Sequence, residues 1–151
     1  MSKRQILMAL GLAAVIGITG CAAKGPSLGM ISDRMPMLHA DQGRIFFYRD
    51  KSMFGAAVQP MIRLNGEEVG KSVPGGFFFV DRPAGDYEAS SSTEVKRSVT
   101  FTLAPAETRY IRTTVGMGFF VGHVYPELVS AEDGEKALPS MSYIGAELGA
   151  E

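Results

Sequence analysis

The sequence contains few side chains of the types that carry acid–base, nucleophilic or metal chemistry. It has two histidines, His39 and His123, and a single cysteine, Cys21. Zinc sites are built from histidine and cysteine ligands at short, recurring spacings, and neither histidine has such a partner nearby in the sequence. We therefore predict no metal site and no cofactor.

The polar residues also lack the order that hydrolases need. Ser90 to Thr93 form a run of hydroxyl side chains, but no G-x-S-x-G motif accompanies them. The glycines of "GMGFFVG" miss the dinucleotide-binding pattern because the third falls one place late. Several acids lie beside turns, where carboxylates commonly cap or solvate loops. These acids are Glu67, Glu68, Asp81 and Asp86. We predict that the protein is not an enzyme.

Length and charge limit the remaining functions. A chain of 151 residues has room for one domain. Lys3 and Arg4 precede Cys21 and no acid does, so the chain from Cys21 onward has 13 basic and 16 acidic residues, a net charge of −3. Nucleic-acid-binding domains are usually basic, so this balance predicts no nucleic-acid partner.

The first 20 residues have the three parts of a secretory signal. A basic start is followed by an apolar run from Ile6 to Thr19 and by small residues. The run has 14 residues, against the roughly 20 that a helix needs to cross a bilayer. We predict that residues 1–20 are a cleaved signal peptide.

The residues "ITGC", Ile18 to Cys21, resemble the bacterial lipobox. In lipoproteins with this motif, the cysteine sulfur takes a diacylglycerol and the signal is cut before the cysteine. The resemblance implies that Cys21 is the lipid attachment site and binds the membrane, since two or more acyl chains hold a protein stably. A free thiol after an ordinary signal, or a buried core cysteine, are the alternatives. Ala22 stands where aspartate commonly signals inner-membrane retention, which favours the outer membrane, on its periplasmic side.

Beyond Cys21 the chain divides into three parts. Residues 21–42 contain prolines and glycines without a sustained period, which predicts a tether whose methionines could dock onto the domain. Residues 43–130 alternate short apolar runs with turn residues. This spacing predicts an all-β fold, a single antiparallel sandwich of about seven or eight strands. Residues 131–151 form a C-terminal tail in which Pro139 breaks any single helix.

Two segments carry the clearest strand signals. "NG" at Asn65 and Gly66 lies between two strand-like runs and predicts a type I′ hairpin. In "VKRSVTFTL", Val95, Val99, Phe101 and Leu103 are expected to point inward, apart from the interruption at Arg97.

Residues 43–115 resemble small bacterial lipoprotein domains related to the PEGA and carboxypeptidase-regulatory-like, transthyretin-like β-sandwiches. The resemblance lies in turn glycines and core aromatics, so it implies a fold more than a function. A glycine often stands in these domains where this chain has Ala106. The matching positions are Asn65, Gly66, Gly76, Phe78, Pro83, Gly85, Tyr87 and Tyr110.

Aromatic residues fall on both faces of the strands "IFFY" and "FFFV". A strand exposed on one side should bury only one set. Either the second set lies beneath residues 117–129 or the tether, or Phe46, Tyr48 and Phe78 form an exposed surface for a partner.

Together these patterns predict a lipid-anchored, periplasm-facing envelope lipoprotein. Its domain would be a non-enzymatic binding or scaffolding module for an envelope protein. The alternative is a small-ligand or carbohydrate-binding module on the aromatic strands. A third interpretation, an envelope hydrolase, lacks candidate catalytic residues.

Overall fold

The computed structural model describes residues 22–117 and 122–149. In this part of the chain, nine strands form two sheets that pack as a sandwich, which confirms the predicted all-β class. The strands are β1 Gln42–Tyr48, β2 Met61–Leu64, β3 Glu67–Lys71, β4 Gly76–Pro83, β5 Gly85–Ser92, β6 Lys96–Leu103, β7 Thr108–Gly116, β8 His123–Val129 and β9 Ser142–Tyr143. The α-helices are α1 Leu28–Ile31 and α2 Ala131–Ala137, each followed by a 3₁₀ turn, Ser32–Arg34 and Leu138–Ser140.

The larger sheet has the order β8-β7-β1-β4-β9, and the smaller has the order β3-β2-β5-β6. Most neighbours are antiparallel, but β1 pairs in parallel with β7 and β4 in parallel with β9. The prediction of a wholly antiparallel sandwich is therefore wrong at these two pairs. Both are long-range pairings, between strands distant in sequence, and local turn signals specify only hairpins.

The hairpin predicted at Asn65 and Gly66 joins β2 to β3, and both residues have positive φ, 48° and 86°. The Asn65 side chain also reaches β5, where its oxygen accepts a 2.7 Å hydrogen bond from the Glu88 amide. The turn of this hairpin is therefore hydrogen-bonded to the neighbouring strand β5. The alternation predicted for β6 holds at Phe101 and Leu103, which are buried. It is wrong at Val95, which lies in the turn before the strand and is 48% exposed.

Between the sheets lies an apolar core. Phe47 of β1 and Phe78 of β4 stack at its centre, with ring centroids 5.0 Å apart. The aliphatic side chains of both sheets complete it, because inward-facing residues alternate with outward-facing ones along each strand. Ile45, Ile62, Leu103 and Ile111 are among those with at most 1% exposure.

A second buried layer covers the outer face of the larger sheet. Phe46 stacks on Tyr110 there, and Tyr143 contacts the rings of Phe77 and Phe79. The N-terminal segment and the C-terminal tail cover these rings, and their side chains join the same buried cluster. The covering side chains include Ile31, Leu138 and Met141.

The segments predicted as tether and tail are thus packed parts of the domain. Ile31 in the former is fully buried, and the amide of Ala23 donates a 2.9 Å hydrogen bond to the Pro74 carbonyl. In the latter, α2 ends before Pro139, which lies within the second 3₁₀ turn as its helix-breaking character requires. The two segments pack against the sheet because this removes the apolar surface of the outer aromatic layer from water.

Candidate functional site at the Ala22 end of the sandwich

The predicted lipid attachment residue, Cys21, lies outside the described residues, as does the rest of "ITGC". The structure does begin at the next residue, Ala22, which is exposed. In the described part of the chain, no helix is both long and apolar enough to span a bilayer.

The hypothesis of an exposed aromatic partner surface is wrong. Phe46, Tyr48 and Phe78 are 6%, 3% and 4% exposed. They also lie on two faces of the sheet, because Phe78 pairs with Phe47 across the strands whereas Phe46 pairs with Phe79. The sandwich core buries Phe78, and the outer layer buries the other two. These three side chains therefore offer no exposed ring surface.

The other candidate residues take up structural contacts. His123 lies 3.2 Å from a carboxylate oxygen of Glu94 and is not near His39 in the fold. The Ser91 hydroxyl is buried and donates a 2.5 Å hydrogen bond to the Val124 carbonyl. Among the described residues, no group of three or more histidine, cysteine and acidic side chains could hold a metal ion.

One end of the sandwich combines an ordered loop with exposed apolar side chains. We call it the Ala22 end; it comprises residues 22–24, 49–61, 71–75, 92–96, 116–117 and 122. Backbone hydrogen bonds join three of these segments: the Ala23 amide donates to the Pro74 carbonyl, and the Gly75 amide donates to the Arg49 carbonyl, both at 2.9 Å. Because β1 and β7 are parallel, the segments that follow them emerge at this same end.

Arg49 organises the loop between β1 and β2. Its side chain is buried, and its guanidinium donates to the carbonyls of Val58 at 2.6 Å, Gly55 at 2.8 Å and Ser72 at 3.4 Å. Desolvation by burial lowers the pKa of Arg49. No carboxylate among the described residues lies within ion-pair distance of it. The cation is instead stabilised by carbonyl dipoles, and it fixes the loop in return.

A buried hydroxyl pair lies beneath Arg49. The oxygens of Ser72 and Thr113 are 2.8 Å apart, and the Thr113 hydroxyl also lies 3.2 Å from the Tyr48 carbonyl, to which it donates. Since buried polar groups need hydrogen-bond partners, this pair couples β7 to β1 and to the segment after β3. The Ala22 end therefore has a rigid polar base.

On this base the chain displays large apolar side chains. Met53 is 84% exposed, Phe54 is 56% exposed and Met117 is 82% exposed. We call these three the apolar tip. Gly55 and Gly122 both approach Val115, so the β1–β2 loop packs beside the end of β7. Exposed apolar side chains gathered in one region are typical of interaction surfaces.

Three lysines lie at the same end of the sandwich as the apolar tip. Lys24, Lys51 and Lys71 are exposed, and in the described part of the chain none of them lies within ion-pair distance of a carboxylate. The nearby Asp50 carboxylate lies 3.8 Å from Arg112. The Ala22 end therefore presents positive charge, although the chain as a whole is mildly acidic.

Sequence reasoning missed this surface. The residues "KSMFG" follow β1 and have neither helical nor strand periodicity, so they indicated only a loop. A methionine and a phenylalanine in a loop, here Met53 and Phe54, are by themselves weak evidence for an interaction surface. Their significance depends on Met117, which the fold brings to the same end.

A family model described as a protein of unknown function (DUF2846) matches residues 39–124, more than half of the chain. An uncharacterized protein of Haemophilus influenzae (strain ATCC 51907 / DSM 11121 / KW20 / Rd) is 29% identical over 99 residues. That alignment covers 65% of this chain and 58% of the Haemophilus protein, so the chain spans just over half of that relative. No solved structure matches the chain.

Proposed function

We propose a function for a chain that belongs to the DUF2846 family of proteins of unknown function: it is a lipid-anchored envelope lipoprotein with a non-enzymatic binding domain. Cys21 carries the lipid, and the domain faces the periplasm from the outer membrane. The domain holds an envelope protein close to the bilayer.

The observation that carries this proposal is the motif "ITGC" directly after a 14-residue apolar run. The sequence places the acceptor thiol directly before Ala22, and the amide of the next residue, Ala23, donates a 2.9 Å hydrogen bond to the Pro74 carbonyl. Adjacent Cα atoms are about 3.8 Å apart, so a lipid on Cys21 would be attached at the Ala22 end. The exposed apolar side chains there are compatible with a membrane-proximal location.

The structural use of the polar side chains supports a binding role over catalysis. The Ser91 hydroxyl, the Ser72–Thr113 pair and the Arg49 guanidinium are buried and engaged with backbone or with each other. A nucleophile or general base must instead face substrate. These groups stabilise the sandwich.

A relation to the PEGA and transthyretin-like β-sandwiches is the finer part of the proposal. It is supported by the two-sheet architecture and by the Asn65–Gly66 hairpin. Ala106 adds to this support, because it adopts φ 58° where those domains often have glycine. Glycine tolerates that conformation best.

The lipid anchor is tested by the intact mass of full-length protein extracted from membranes with detergent. We expect the mass of the chain from Cys21 plus a diacylglycerol and an acyl chain. Cys21→Ser should leave the signal uncut and the lipid absent, whereas Ala22→Ser, which keeps the motif, should be processed like the wild type. An unmodified wild-type mass would contradict the proposal.

The membrane assignment and the binding role need separate measurements. Ala22→Asp should move the lipoprotein from the outer to the inner membrane fraction on a density gradient, with Ala22→Ser as the control. Cross-linking in intact envelopes should give a discrete heteromeric product. A protein that remains uncross-linked at every cross-linker length would contradict a scaffolding role.

A further inference from the structure

We propose that the Ala22 end of the sandwich rests on the lipid bilayer, with Met53, Phe54 and Met117 inserted at the level of the headgroups. This inference rests on the proposed function, because a lipid on Cys21 would bring this end to the membrane. The surface itself belongs to the folded domain and can be measured separately.

The first argument is the length of chain available between anchor and domain. Ala23 is already hydrogen-bonded to Pro74, and its Cβ lies 3.0 Å from the position that a Cβ on Gly76 would take. Pro26 is held in the same way, since its carbonyl accepts a 2.8 Å hydrogen bond from the Tyr143 amide. The segment expected to be a spacer is thus part of the fold. An acylated Cys21 would leave the domain no room to stand away from the bilayer.

The second argument is the distribution of exposed apolar side chains. Of the eight large apolar residues exposed in the described part of the chain, five lie at the Ala22 end. These are Met53, Phe54, Met61, Val95 and Met117. The opposite end carries the polar turns at Asn65–Gly66 and at 104–107. This distribution is expected of a domain that has one end in contact with a bilayer and the other end in water.

The third argument is charge. Lys24, Lys51 and Lys71 provide ammonium groups at the same end as the apolar tip, and among the described residues no carboxylate lies within ion-pair distance of them. Ammonium groups at a membrane surface are attracted by lipid phosphates, most strongly by anionic lipids. Flexible lysine side chains can meet headgroups while the apolar side chains lie below them.

Rigidity favours a lipid surface for this tip. Arg49 holds the carbonyls of Gly55 and Val58, on the chain directly after Met53 and Phe54. The two side chains are therefore displayed from a fixed loop. A bilayer accepts such side chains without a matching pocket, whereas a protein partner would need one.

The test uses the absence of tryptophan from this chain. Met53→Trp places a single fluorophore in the tip, and Met37→Trp is the matched control. Met37 is 91% exposed and follows Pro36, whose carbonyl accepts a 2.6 Å hydrogen bond from Arg44, near the start of β1. Tyr48, at the Ala22 end of β1, lies four positions after Arg44, which is about 13 Å along the strand at about 3.3 Å per residue.

The lipidated full-length variants are reconstituted into vesicles of phosphatidylethanolamine and phosphatidylglycerol, with or without phosphatidylcholine brominated near the top of its acyl chains. We expect a blue-shifted emission for Met53→Trp and at least twofold stronger quenching than for Met37→Trp. Lys51→Glu with Lys71→Glu should weaken the quenching of Met53→Trp. Equal quenching at positions 53 and 37 would overturn the inference.

The same samples separate this inference from the proposed function. If the Met53→Trp protein carries the lipid and floats with the vesicles but its fluorescence is not quenched, the anchor stands and the docking surface is refuted. In that case the apolar tip is a surface for a protein partner. If the mass shows no lipid but the fluorescence of the same variant is quenched when vesicles are added, the docking surface stands without the anchor. Loss of both flotation and quenching overturns both.

Discussion

Phe46 and Tyr110 stack across the parallel β1–β7 pair, with ring centroids 5.5 Å apart and ring planes 8° apart. Both rings face away from the smaller sheet, so they would meet water unless another element covered them. Gly134 of α2 lies directly over the Tyr110 ring. This contact makes the C-terminal helix part of the hydrophobic core.

Gly134→Ala should destabilise the protein. A Cβ at this position would lie 2.2 Å from Cγ of Tyr110 and 2.3 Å from Cδ1, so the helix must shift. We expect the free energy of unfolding in urea to fall by about 1–3 kcal/mol from overpacking. Gly29→Ala is the control, since Gly29 is also helical but its Cβ would meet nothing within 4 Å. It should be neutral or stabilising, and equal effects would contradict close packing at Gly134.

Ile31→Ala tests whether the N-terminal segment belongs to the fold. Ile31 is fully buried, whereas its neighbour Met30 is 70% exposed. We expect Ile31→Ala to lower the free energy of unfolding by about 2–4 kcal/mol, as truncation of a buried aliphatic side chain does. Met30→Ala should change it by less than about 0.5 kcal/mol. Indistinguishable variants would mean that the segment is a free tether.

Arg49→Lys should loosen the β1–β2 loop. Lysine has a single ammonium nitrogen and cannot donate to the Gly55 and Val58 carbonyls from two nitrogens, as the planar guanidinium does. We expect the free energy of unfolding to fall by about 1.5–3 kcal/mol, which is the contribution of one hydrogen bond to a charged group. Amide hydrogen exchange should accelerate in residues 50–60 and not in β5. Arg63→Lys, in a half-exposed ion pair with Glu68, should cost less than about 1 kcal/mol. Unchanged amide hydrogen exchange in residues 50–60 of Arg49→Lys would show that Arg49 does not order the β1–β2 loop.

Ala106→Gly should relieve backbone strain. Ala106 has φ 58°, in the left-handed region, which costs a residue with a Cβ about 1–2 kcal/mol. Ala104→Gly, in the same turn but without positive φ, provides the comparison. Both variants gain the same entropy in the unfolded chain, so Ala106→Gly should be the more stable by about 1–2 kcal/mol in thermal or urea unfolding. Equal stabilities would show that the turn is unstrained.

The protein should lose stability in alkali. Burial raises the pKa of Tyr110 and Tyr143 above the ordinary 10.0, and burial with the nearby Asp50 carboxylate raises that of Tyr48. At pH values above 10 the folded state therefore holds more protons than the unfolded state, and the free energy of unfolding falls as pH rises. Tyr143→Phe should make this decline shallower in urea titrations at successive pH values. An unchanged slope would mean that Tyr143 ionises freely in the folded protein.

The local structure could be predicted from the order of the residues. Its turn residues specified the Asn65–Gly66 hairpin, and its alternation specified the inward side of β6 at Phe101 and Leu103. These features depend on neighbouring residues, since φ preferences and strand alternation act over a few positions. The signal-like start and "ITGC" are likewise readable from the sequence, because both depend on residue order.

The tertiary structure decided what covers the second aromatic face and what gathers at the Ala22 end. Both depend on contacts between segments that are distant in the sequence: β1 with β7, α2 with Tyr110, and the β1–β2 loop at Gly55 with Val115 of β7. Local sequence preferences do not specify such contacts. Covering the outer rings removes apolar surface from water, and this is favourable whichever apolar segment provides the cover. Aromatics on both faces of β1 predicted that a cover or a partner exists. Only the fold showed that the chain supplies the cover itself, and that its exposed apolar surface lies elsewhere.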